Sequence, residues 1–214
     1  MPCKDTTSRI LLVEGKNDCH VVMALRGING MEASFGVYEC GSDEQVVARM
    51  NALILAPSRP EIIGVVLDAD ANDVGVRWTQ IVDRLRAHQY ACPAAPHPEG
   101  TLVTPPLGLP SIGIWLMPDN QNRGMLEDFL LSTVERKSLM AVRAAILFAR
   151  MTKTANFKSA HKSKAIIHTY LAWLDEPGKP LGTSVTARAL KPDTPLAIKF
   201  VTWLRELFPA VPEG

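Results

Sequence analysis

Two short apolar runs in this chain each stop abruptly at carboxylates, and that pattern constrains the fold more than any other. Ile10-Leu11-Leu12-Val13 runs into Glu14-Gly15, and Ile62-Ile63-Gly64-Val65-Val66-Leu67 runs into Asp68-Ala69-Asp70. Runs without polar alternation fit strands covered on both faces, as in parallel sheets flanked by helices. Each run is followed by a helical pattern, and in such sheets ligands sit at the carboxyl ends of the strands. If the two strands are neighbours, Glu14, Asp68 and Asp70 meet at one place. Crowded carboxylates raise one another's pKa. A divalent, oxygen-seeking cation compensates them, with Mg²⁺ as the expectation and Mn²⁺ as the alternative.

The remaining segments extend this into a β-α-β-α-β-α-β order. After the strand Arg9 to Val13, Asn17 and Asp18 can cap a helix through Val21, Val22 and Leu25, which Gly27 and Gly30 end. Phe35 to Glu39 reads as a second strand. Ser42 caps a second helix with Val46, Val47, Met50, Leu53 and Ile54 on its apolar stripe. A third helix is expected from Val74 to His88 after the strand Ile62 to Leu67. Ser111 to Met117 is a further strand, with Thr101-Leu102-Val103 as a short edge partner, and a helix starts in Gly124 to Leu130.

The C-terminal third is helical: a segment from Lys137, another over Lys164 to Leu174, and a last amphipathic helix from Leu196 to Leu207. In the first of these, Arg136, Arg143 and Arg150 share one face, with Leu139, Val142, Ile146 and Leu147 on the others. Trp78, Trp115, Trp173 and Trp203 fall on apolar faces and read as packing residues. The expected fold is α/β: a Rossmann-like, mainly parallel sheet of four to five strands flanked by helices, with a helical C-terminal extension. Residues 1–135 form the α/β metal-binding domain, and residues 136–214 the extension, packed on the same core.

Charge is segregated along the 214 residues. Residues 1–135 carry 17 Asp/Glu and 10 Lys/Arg, residues 136–164 carry eight Lys/Arg and no acid, and residues 165–214 carry five of each. A basic block beside an acidic half suits a phosphate-bearing polymer, and a solvated cationic helix is the plain alternative. No apolar stretch is long enough to span a bilayer, and no signal-type apolar region precedes the first strand, so the expected setting is cytoplasmic and off the membrane. Cys3, Cys19, Cys40 and Cys92 lack paired spacing, which predicts reduced thiols and no structural zinc. The histidines lack metal-ligand spacing. There is no Gly-x-Ser-x-Gly elbow and no phosphate-binding P-loop.

The spacing Val13-Glu14-Gly15-x-x-Asp18, followed by Asp68-x-Asp70 closing another strand, resembles the Toprim domain. That domain occurs in topoisomerases, bacterial primases, recombination proteins and overcoming-lysogenization-defect nucleases. Val13-Glu14-Gly15-Lys16-Asn17-Asp18 looks like the opening of the small Toprim nucleases that mature ribosomal RNA. Pro118-Asp119-Asn120, with Gly124-x-Leu126-Glu127-Asp128-Phe129-Leu130, is similar to an uncharacterised bacterial family of small stand-alone Toprim-like proteins. The core resemblance covers residues 9–120. One departure stands out: many Toprim proteins place a Gly soon after Asp-x-Asp, whereas Asp70-Ala71-Asn72-Asp73-Val74-Gly75 is a longer turn, which bears on the helix start and on the role of Asn72.

The resemblance implies that Asp68 and Asp70 bind Mg²⁺ and that Glu14 shares the metal or acts as general base or acid. A metal polarises a phosphoryl oxygen, and a nearby carboxylate can accept a proton. Asp18, Asp119, Glu127 and Asp128 are further candidates to support the site or hold a second metal. Asp18 and Asp128 have a plainer role open to them, as capping or dipole-favoured acids in the first turn of a helix. Lys16 can bind phosphate beside a helix N-terminus. Lys158, Lys162 and Lys164, with His161, can track a nucleic-acid backbone by charge, and Arg143 and Arg150 can do the same or contact an acidic partner.

The leading expectation is a metal-dependent nuclease acting on DNA or RNA. The alternatives are a non-catalytic Toprim-like module binding nucleic acid or an ATPase partner, and a small-molecule phosphohydrolase.

Overall fold

The structure is a computed structural model that describes residues 3–70 and 73–210. Its five strands are β1 (Arg9–Val13), β2 (Gly36–Glu39), β3 (Ile62–Asp68), β4 (Thr101–Val103) and β5 (Ser111–Met117). They form one sheet in the order β2-β1-β3-β5-β4, parallel except for β4, which pairs antiparallel with β5 at the edge. Helices α1 (Lys16–Ile28), α2 (Asp43–Leu55) and α3 (Val74–Arg86) follow the first three strands. After β5 come α4 (Leu126–Leu131), α5 (Arg136–Met151), a 3₁₀ turn at Ser159–His161, α6 (Lys162–Ala172), α7 (Leu181–Thr186) and α8 (Pro195–Leu207). The chain is thus α/β with a mainly parallel sheet flanked by helices, as the apolar runs predict.

Strand direction in sequence sorts the two faces. Leu11 and Val13 of β1, Val66 of β3 and Trp115 and Met117 of β5 join one core with α1 and the C-terminal helices. Ile10 and Leu12, Ile63, Val65 and Leu67, and Ile112, Ile114 and Leu116 join the other core, against α2 and α3. The period-two alternation that is invisible in uniformly apolar runs reappears here as a split between two covered faces.

Helix α8 lies against the sheet. Trp203 and Phe200 pack on Trp115 with ring centroids 5.6 and 5.1 Å away. Gly64 and Gly113 are register partners on β3 and β5. A Cβ on Gly113 would run into Leu207 of α8, and one on Gly64 into Leu11 of β1 with Leu207 next. Glycine in mid-strand is a sign of such close approach.

Several expectations are corrected. Cys3 and Cys19 are joined by a disulfide, with Cα atoms 6.1 Å apart, inside the span a disulfide bridges, so these two thiols are not reduced. The N-terminal segment runs alongside β2, where Glu39 donates its N–H to the Cys3 carbonyl, and this brings Cys3 onto α1. Trp173 is 56% exposed because it follows the last turn of α6. Leu147 is 61% exposed because Val142 and Ile146, four apart, take the inward positions of α5. Helix α1 begins at Lys16 with Gly15 as cap. Helix α7, six residues long, is too short to show a periodic signal. Among the described residues no helix is long and apolar enough to cross a membrane.

Candidate functional site

Going from β1 to β2 the chain moves to one side; going on to β3 it crosses to the other side of β1. The gap beyond the carboxyl ends of β1 and β3 is therefore the topological switch point, where open α/β sheets bind ligands. Glu14 leaves the end of β1, and its Oε1 accepts the backbone N–H of Asp68 at 2.8 Å. Asp68 closes β3, and its Oδ1 accepts the backbone N–H of Leu126, the first residue of α4, at 2.9 Å. One carboxylate thus ties β1 to β3, and the next ties β3 to α4.

Asp70 sits two residues on, at φ 58°, a left-handed conformation that side chains seldom adopt and that Asp tolerates better than most. Its N–H donates to the Gly124 carbonyl at 2.8 Å. Its carboxylate pairs with the Arg77 guanidinium at 3.0 Å. Arg77 is buried on α3, pairs also with Asp43 at the start of α2, and donates to the Asp68 carbonyl at 3.1 Å. Ala71 and Asn72 follow Asp70 in the sequence, and the role raised for Asn72 falls outside the described residues.

Two further acids hold helix starts. Asp18, third in α1, accepts the Gly15 N–H at 3.2 Å, and Asp128, third in α4, accepts the Met125 N–H at 3.0 Å. Asp128 also accepts the Ser163 hydroxyl of α6. The N-termini of α1, α4 and α6 therefore converge here, and their dipoles favour negative charge nearby.

Together these elements enclose a cleft of about 560 Å³, lined by Glu14, Lys16, Asp18, Asp68, Asp70, Glu127, His161 and Lys164. Glu127 is buried, with the Lys164 ammonium 3.4 Å from its Oε1. The cleft has an acidic floor from the strand ends and a cationic wall from α6 and the first turn of α1.

Burial drives the protonation behaviour. Desolvation, and then the nearby Asp18, Glu14 and Asp70 charges, push the Asp68 carboxyl up to about 9. Desolvation pushes Glu14 up to about 7, with Asp18 and Asp70 adding to it against the hydrogen bond from Asp68. Asp18 rises to about 6 for the same leading reason. Without a cation, Asp68 holds a proton at neutral pH and Glu14 is near half-protonated.

The donors suit a hard cation, since all are oxygens. Glu14 Oε2, Asp68 Oδ2 and Asp70 Oδ1 make no hydrogen bond to a described residue. Yet among the described residues no group of three or more His, Cys, Asp or Glu side chains is gathered closely enough to hold a metal ion. Asp70 engages Arg77 through Oδ2, which leaves Oδ1 for a cation.

Of the residues singled out in sequence, Glu14, Asp18, Asp68, Asp70, Glu127, Lys16, His161 and Lys164 line the cleft. Asp119 does not; its carboxylate accepts the backbone N–H groups of Gln121 and Asn122 and the Asn122 side chain, a local turn. Arg143, Arg150, Lys158 and Lys162 also lie outside the lining. Sequence reading missed Arg77. The available signal was a cation on the apolar stripe Val74, Trp78, Ile81, Val82 and Leu85 of α3, directly after an acidic turn.

Residues 8–209 match the family described as "Protein of unknown function (DUF3226)", and the chain belongs to that family. No match was found among curated proteins or among solved structures.

Proposed function

We propose that this member of a family of unknown function is a Mg²⁺-dependent phosphoryl-transfer enzyme, a Toprim-type nuclease acting on DNA or RNA. The observation that carries this reading is the placement of Glu14, Asp68 and Asp70 at the ends of adjacent parallel strands, in one cleft walled by Lys16, His161 and Lys164. Asp68 and Asp70, with Glu14 beside them, would hold Mg²⁺ or Mn²⁺, which would supply Lewis-acid polarisation of a phosphoryl oxygen. Glu14, whose carboxyl burial raises to about 7 in the metal-free protein, is the group placed to take or give a proton. Lys16 and Lys164 hold the phosphate against an acidic floor that otherwise repels it.

The test is incubation of the folded protein with labelled single- and double-stranded DNA and RNA, with Mg²⁺, Mn²⁺ or EDTA, beside Asp68→Asn. Cleavage that needs metal and disappears in the variant supports the reading. A metal-independent cleavage, or one that Asp68→Asn keeps, contradicts it.

A second reading, a non-catalytic module binding nucleic acid or an ATPase partner, draws on one observation: Asp70 is already neutralised by Arg77. Such a module keeps its affinity in Asp68→Asn and loses it in Lys164→Glu.

A further inference from the structure

Helix α5 turns an apolar ridge to solvent. Met140, Leu147, Phe148 and Met151 are 62%, 61%, 68% and 74% exposed, while Val142 and Ile146 of the same helix are buried. Offsets of seven, eight and eleven residues from Met140 place them on one side, along a helix about 24 Å long. Arg136, Arg143 and Arg150, seven apart, line one edge of the ridge, and no acid occurs from residue 136 to 164. Exposed apolar ridges of this kind mark contact sites.

The same molecule carries a concavity with acids at its rim. Between α2 and α3 lies an open groove of about 880 Å³ whose lining is mostly polar, with Val47, Ala48 and Ala87 as its apolar members. Glu44 and Asp83 stand exposed beside it, with Asp43 at one end; Arg84 is the exposed cation of the lining, and Arg77 is buried against Asp43 and Asp70. Helix α5 packs into the core on one face of the sheet, and α2 and α3 into the core on the other. A chain therefore cannot fill its own groove with its own ridge.

We infer that the α5 ridge of one copy seats in the α2–α3 groove of a second copy, with Arg143 and Arg150 facing Glu44 and Asp83. This is a helix laid in a groove, with charge complementarity for orientation and register and a small apolar contact at Val47, Ala48 and Ala87. Because ridge and groove are different surfaces on opposite faces, the contact is head-to-tail and builds a ring or an open chain. It assigns Arg143 and Arg150 to self-assembly and leaves the cleft cations untouched.

Sedimentation velocity over a range of protein and salt concentrations tests this. The wild-type chain is expected to form species larger than a monomer that grow with concentration and shrink with salt. Leu147→Asp, the pair Arg143→Glu with Arg150→Glu, and the pair Glu44→Arg with Asp83→Arg each give monomer, with circular dichroism showing the fold retained. Mixing the two charge-reversed proteins restores assembly, since every α5–groove contact in the mixture is again between opposite charges. A wild-type monomer at all concentrations, assembly that survives Leu147→Asp, or a mixture that stays monomeric overturns the inference. So does flotation with phosphatidylglycerol vesicles that is lost in the arginine variant and kept in the groove variant, because the ridge then belongs to a lipid surface.

Discussion

Asp68 and Arg77 hold opposite ends of the same balance. Asp68 is a buried acid surrounded by acids, and Arg77 is a buried cation that answers two of the carboxylates around it. Replacing Arg77 by Met leaves Asp43 and Asp70, both part-exposed, without their partner. The expected cost is about 1–3 kcal/mol in urea unfolding, less than a fully buried pair would show. The same variant frees Asp70, so added Mg²⁺ should raise its midpoint more than it raises the wild type's; an equal shift in both would detach Arg77 from the metal site. Protonation gives a second outcome. Glu14 and Asp68 bind protons in the folded state up to about 7 and about 9, while in the unfolded chain they release them near 4. The folded state thus binds more protons in that window, and stability is greatest below it and falls as pH rises through it. Thermal melts in EDTA should therefore drop in midpoint from pH 5 towards pH 9, and Mg²⁺ should flatten the drop; a midpoint that climbs with pH contradicts the burial of these acids. Glu14, Asp68 and Asp70 were legible in sequence because each ends an apolar run. Arg77 was not, since one cation on an apolar stripe reads as a surface residue until its partners are placed.

Secondary structure was legible wherever periodicity ran for several turns. The boundaries of α2, α3 and α8 fall close to expectation because Ser42, Asp73 and Pro195 mark their starts. Periodicity said less about which side of a helix meets the core. Helix α5 shows this: Ile146 and Leu147 are equally apolar neighbours, yet one is 8% and the other 61% exposed. Ile146→Ala should cost roughly 2–5 kcal/mol, while Leu147→Ala should change monomer stability by no more than about 0.5 kcal/mol. Equal losses in denaturant titrations would mean that α5 is seated differently. The strand glycines are a similar case, silent in sequence and explained by packing. Gly113→Val forces Leu207 out of its contact and should destabilise by about 1–3 kcal/mol.

Across the molecule, strand order decides what the acids can do. Glu14 and Asp68 are 54 residues apart in sequence and share a hydrogen bond because β1 and β3 are adjacent. That adjacency could be posed from sequence only as a condition, since apolar runs do not state their neighbours. The charge segregation was legible as a pattern, but its geometry was not: Lys16, from the acidic half, and Lys164, from the basic block, reach the cleft, while Arg143 and Arg150 lie outside its lining. The central claim is that the acids at the switch point hold a divalent cation. Calorimetric titration of Mg²⁺ and Mn²⁺ into the metal-free protein at neutral pH tests it most directly, with Asp68→Asn and Asp70→Asn as companions. Saturable binding by the wild type that is weakened at least tenfold in either variant is the predicted result. A folded wild-type protein that binds neither ion, or variants that bind as tightly as the wild type, would contradict the account.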